Sequence, residues 1–157
     1  MKHVILGLAF VAAPSLASDY VVIQQVATVG ASADHVWHQV GNFCAISKFL
    51  DVKCEYAAGK GGLGSVRRLN GVTLEPMIAL TPYSYTYGQT EGGMKDFYYH
   101  GTLAVEPTGK RSSRIIYSLV YDQAGMASDE VRAAQRERIT TRFRGAVDKI
   151  KAIAEAK

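Results

Sequence analysis

Cysteine, proline and tryptophan are scarce in this chain, with two, four and one among 157 residues. Two cysteines cannot build a multi-bridge framework or an all-thiolate metal site, so the fold has to be held by an apolar core. A long hydrophobic run is missing as well. The longest, Val4–Ala13, falls well short of the roughly 20 residues that span a bilayer, so no stable membrane insertion is expected. Charge of one sign is not in large excess, since the formal net charge is +4. The arginines at 132, 136, 138, 142 and 144 are interleaved with Glu130, Glu137 and Asp148, as on a solvated helix face, and no base-stacking pattern accompanies them. Nucleic acid is therefore not an expected partner.

Motifs that would require a cofactor are also missing. His35 and His38 stand one helical turn apart, but no third ligand follows at a recognisable spacing, so no metal is expected. The glycines between Gly59 and Gly64 lead into a strand rather than a helix, which makes them a turn and not a phosphate cradle. There is no nucleophile elbow and no dinucleotide fingerprint. If the protein is an enzyme, it is expected to work without a cofactor.

What is present begins with Lys2 and His3, the apolar run, then Pro14, Ser15, Leu16 and Ala17, the order of a secretory signal peptide. Cleavage after Ala17 is expected. Residues 1–17 would leave, residues 18–157 would form one domain, and the product would be periplasmic or secreted. In such a compartment Cys44 and Cys54 can close a short loop or remain as two buried thiols; the sequence leaves both open, with the bridge slightly favoured.

The dominant element is a helix over 128–156. Val131, Ala134, Ile139, Phe143, Ala146, Val147, Ile150, Ile153 and Ala154 form one stripe, Ser128 is the expected N-cap, and Asp129 and Glu130 complement the dipole. At 1.5 Å per residue such a helix is about 40 Å long and needs a large curved sheet to cover it. Strands are expected at 20–29, 52–56, 65–69, 72–80, 83–91, 97–105 and 114–122, with Asn70-Gly71 as a hairpin turn. Two short helices, one capped by Ser32 and one over 43–49, follow the first strand, with Trp37 and Phe43 as core anchors. Together these elements describe an α+β domain.

This order, with Ala31-Ser32-Ala33-Asp34-His35-Val36-Trp37, Gly62-Leu63-Gly64-Ser65-Val66-Arg67-Arg68-Leu69 and Gly101-Thr102-Leu103-Ala104-Val105-Glu106-Pro107, resembles the helix-grip superfamily of START and birch-pollen-allergen proteins (SRPBCC). The wording is similar to its polyketide cyclase/dehydrase/lipid-transport branch. The resemblance implies a helix-grip fold: a seven-stranded curved antiparallel sheet wrapped around the C-terminal helix, with a cavity between them. It also implies a range of roles from carriers and hormone receptors to aromatase/cyclases and enzymes of C–C bond chemistry.

Given such a cavity, strand parity points Tyr83, Tyr85, Tyr87, Phe97, Tyr99, Leu103, Tyr117, Leu119 and Tyr121 inward, with Phe143 and Val147 facing them from the helix. A lining that is apolar in body and dotted with phenol hydroxyls suits a hydrophobic, aromatic or phenolic ligand. The titratable residues in or beside the strands are Arg67, Glu75, Asp96, Tyr99, His100, Tyr117 and Asp122. Glu75 and Asp96 rank first as proton carriers, with Tyr99 and Tyr117 as phenol donors, for a lyase, cyclase or dehydratase step. The alternative is a periplasmic carrier of a lipid or other hydrophobic compound that does no chemistry. Monomer and homodimer are both compatible with the sequence.

Overall fold

The computed structural model describes residues 17–156, so the expected signal segment lies almost wholly outside the described residues. Strand β1 (Tyr20–Val29) is followed by helix α1 (Ala33–Val40) and a 3-10 turn (Phe43–Lys48). Six strands then run without a helix between them except for one short 3-10 turn: β2 (Cys54–Ala58), β3 (Val66–Leu69), β4 (Thr73–Thr81), β5 (Ser84–Gly88), β6 (His100–Gly109) and β7 (Ser112–Asp122). Helix α2 (Asp129–Glu155) closes the order. The strands form one antiparallel seven-stranded sheet in the order β1-β7-β6-β5-β4-β3-β2, and α2 packs on it, mainly against β1 and β7.

Local signals account for the ends of these elements. Ser32 and Ser128 cap α1 and α2 by accepting the N–H groups of His35 and Val131. Asn70 and Gly71 both have positive φ, and the Val72 N–H returns to the Leu69 carbonyl, so β3 turns tightly into β4. Cys44 and Cys54 are joined by a disulfide, with Cα atoms 5.5 Å apart, which ties the 3-10 turn at 43–48 to the start of β2.

The core lies between the sheet and α2, where Ile139, Phe143, Ala146, Val147, Ile150 and Ala154 are buried. Two expectations change here. Val131 and Ala134 are exposed, and the stripe is covered only from Ile139 onward. Trp37 is half-buried rather than central; its ring leans on Tyr85 at 5.8 Å, while Phe43 is fully enclosed. The strand expected over 97–105 also starts late. Residues 95–97 form the second 3-10 turn, Tyr98 is left-handed with φ of 50°, and the strand begins at His100.

Candidate functional site

The site starts from the β3–β4 hairpin. Its register sets Arg67 directly opposite Glu75, so both side chains point to the same face of the sheet, toward the 3-10 turn at 43–48 and α2. Both are buried, Arg67 completely. Arg67 Nε donates to Glu75 Oε2 at 2.7 Å, Nη2 lies 2.7 Å from the same oxygen, and Nη1 donates to the Phe43 carbonyl at 2.7 Å. The guanidinium is sandwiched between the rings of Phe43 and Tyr87, at 4.2 and 4.3 Å from their centroids. A buried cation is costly unless it is paired and packed in this way.

Glu75 faces a cavity of about 220 Å³. Its other walls come from Ile46, Leu50 and Val52 in the disulfide loop, Tyr87 and Gln89 at the end of β5, Met94 and Tyr99 before β6, and Ile139 and Phe143 of α2. Val72 and Gly93 on one side and Arg138 and Arg142 of α2 on the other line it while exposed to solvent, and so form its mouth. With Oε2 engaged by Arg67, the remaining oxygen, Oε1, has one long contact with Gln89 Nε2 at 3.5 Å. Gln89 Oε1 in turn accepts the Met94 N–H at 2.7 Å, which fixes the loop over the cavity.

The electrostatics follow from burial. Desolvation pushes the Glu75 carboxyl above its usual range, and Arg67 only partly offsets it. Burial alone would lower Arg67, but the Glu75 carboxylate and the surrounding tyrosines outweigh it and keep the guanidinium charged. Tyr85, Tyr87, Tyr99 and Tyr117 are all pushed above the usual phenol value, chiefly by burial, so they are neutral donors at physiological pH. The Tyr87 and Tyr117 hydroxyls share a hydrogen bond at 3.0 Å, whereas those of Tyr85 and Tyr121 are buried with no partner among the described residues.

The expected site residues thus divide. Glu75, Tyr87, Tyr99 and Phe143 meet at the cavity, with Tyr117 behind them in contact with Phe143 at 4.7 Å between ring centroids. Tyr85, Leu103, Leu119, Tyr121 and Val147 are buried but pack in the core and do not line the cavity. Tyr83 lies in the turn before β5, where its hydroxyl donates to Asp34 of α1. Asp96 and Phe97 sit in the 3-10 turn outside the cavity, and Asp96 is exposed. His100 is also exposed, and Asp122 holds the N–H groups of Asp19 and Ala124 at the end of β7. The leucine and isoleucine walls, Gln89 and the two arginines of α2 were not anticipated as site residues. The one available signal was the spacing of Arg138 and Arg142, one turn apart and each adjacent to a buried residue, Ile139 and Phe143.

The family model described as polyketide cyclase/dehydrase and lipid transport matches residues 20–155, nearly the whole described chain. The chain belongs to this family. A truncated norcoclaurine synthase from Thalictrum flavum is 26% identical, with 92% of this chain and 100% of that chain covered and a TM-score of 0.68. The same enzyme in complex with dopamine and hydroxybenzaldehyde is 21% identical, with 96% and 100% covered and a TM-score of 0.66. An aromatase/cyclase from a Streptomyces species shares the fold with a TM-score of 0.72 at 16% identity, covering 87% of this chain and 94% of its own. No curated protein matches the chain. By that membership the chain is a ligand-binding domain of the polyketide cyclase/dehydrase and lipid-transport family.

Proposed function

We propose that the protein takes a phenolic or other aromatic compound into the cavity between sheet and α2 and performs cofactor-independent acid–base chemistry on it, of the lyase, cyclase or dehydratase type. The observation that supports this most is Glu75: a buried carboxyl, raised by desolvation, held by one oxygen on Arg67 and lining a cavity with the other side of the same group. Glu75 Oε1 takes a proton from carbon next to a carbonyl or on an activated ring. Tyr87 and Tyr99, neutral at working pH, donate O–H bonds to the oxygen on which negative charge gathers. The proton then returns to the product or to the leaving group. The relatives' aromatic cyclisations and the complex with hydroxybenzaldehyde agree in ligand class.

Export belongs to the same proposal. The segment ending at Ala17 reads as a cleaved signal, and the Cys44–Cys54 bridge suits an oxidising compartment. N-terminal sequencing should find a chain that begins at Ser18; a full-length cytosolic product would refute export.

The chemical test uses hydroxybenzaldehyde as the binding probe and 4-hydroxyphenylacetone in deuterated water as the reaction probe, with exchange of its α-protons followed by NMR. Exchange should be accelerated over buffer and should rise with pH through a value above the ordinary 4.5 of a glutamate as Glu75 ionises. Glu75→Gln should abolish that rise and slow exchange about a hundredfold or more while the probe still binds. Binding of the aldehyde with no exchange in the parent protein would instead assign a carrier.

A further inference from the structure

The cavity carries a charge that nothing in its walls compensates. Glu75 is already matched by Arg67 within hydrogen-bonding distance, so the pair contributes no net charge to a ligand. Arg138 and Arg142 then stand at the mouth, one turn apart on α2, both lining the cavity and both open to solvent. Arg138 is steadied by Gln135, whose Oε1 accepts from its Nε and Nη2 at 3.2 and 2.8 Å, and Gln135 in turn reaches the Met94 sulfur over the cavity. Neither arginine has a carboxylate within ion-pairing distance among the described residues. A second, more open hollow of about 440 Å³ continues from the first through Leu50, Asn70 and Arg142 and adds Lys149 against a single acid, Asp51.

We propose that the ligand is an aromatic acid: its ring enters the cavity beside Tyr87 and Phe143, and its carboxylate stays at the mouth on the guanidinium of Arg142, with Arg138 as the second cation. This inference rests on the ring-binding reading above and narrows it to anions. A guanidinium offers a planar fork of N–H donors that a carboxylate accepts in pairs. The same charge disfavours a cationic amine such as dopamine, one of the two compounds in that relative's complex.

Calorimetric titration of the full mature protein with 4-hydroxycinnamate and with its neutral amide decides the matter. The acid should bind about tenfold or more tightly than the amide at low salt, and the gap should narrow as salt rises. Arg142→Gln should remove most of the gap by weakening the acid alone, and Arg138→Gln should remove a smaller part; both sites are exposed, so thermal melts should match the parent. Equal binding of acid and amide, or an Arg142→Gln variant that weakens both alike, would overturn the anion site and leave the aromatic-binding reading standing. If neither compound binds, the ring-binding reading falls and this inference with it.

Discussion

At the scale of single residues, the tyrosines separate packing from function, because burial is shared and partners are not. Tyr85 and Tyr117 are both fully buried, but the Tyr117 hydroxyl bonds to Tyr87, whereas the Tyr85 hydroxyl, near Arg67, has no well-formed hydrogen bond among the described residues. Removing a buried hydroxyl that has no partner deletes a desolvated polar group, whereas removing one that is paired strands its neighbour. Tyr85→Phe should therefore leave stability unchanged or raise it by about 1 kcal/mol, and Tyr117→Phe should lower it by about 1–2 kcal/mol. Denaturant titration of the two variants checks this; equal losses would mean that the Tyr87–Tyr117 bond is not made in solution. Strand parity alone could not tell these residues apart. It placed Tyr85, Tyr87 and Tyr117 inward, as found, but parity is blind to where along a strand the core ends. Tyr83 shares the parity of Tyr85 and still meets Asp34 at the rim.

At the scale of elements, the caps and turn residues were legible. Ser32, Ser128 and the Asn70-Gly71 turn sit where their side-chain chemistry and backbone freedom require. The pairing of Arg67 with Glu75 was not. A two-residue Asn-Gly loop would set Arg67 opposite Leu74, on the wrong face, but the loop also includes Val72, and the extra residue brings Glu75 into register. The Cys44–Cys54 bridge, which is formed, was only slightly favoured over two free thiols, because a sequence does not report the distance between the two residues. The loop it closes carries Ile46, Leu50 and Val52 into the cavity wall, and Phe43 beside it supplies both a ring and a carbonyl to Arg67. Its turn at 43–48 is short and of 3-10 type, whose hydrogen bonds are poorer in geometry than those of an α-helix. Replacing both cysteines with serine should lower stability by about 2–3 kcal/mol, as expected for closing a loop of this length. Affinity for an aromatic ligand should fall as well, since the wall is loosened. A double variant as stable as the parent in denaturant titration would show that the wall is held by packing alone.

At the scale of the whole molecule, the architecture could be read because every level agrees: a long amphipathic helix, strands broken by turn residues, and an N-capped short helix after the first strand. The cavity is a different kind of feature. It exists where side chains from β4, β5, the disulfide loop, the loop before β6 and α2 stop short of one another, and no local pattern encodes a gap. Such a gap between the sheet and the helix is present only in the folded chain, so a ligand that fills it must stabilise the fold by mass action. At a free concentration of 100 times its dissociation constant, an aromatic acid should add about 2.7 kcal/mol. For a chain of this size that corresponds to a rise of roughly 5–11 °C in melting temperature. The increment should grow with the logarithm of ligand concentration and shrink when Arg142 is replaced with glutamine. A melting temperature that does not move at that concentration would mean that the compound does not bind the folded chain in preference to the unfolded one.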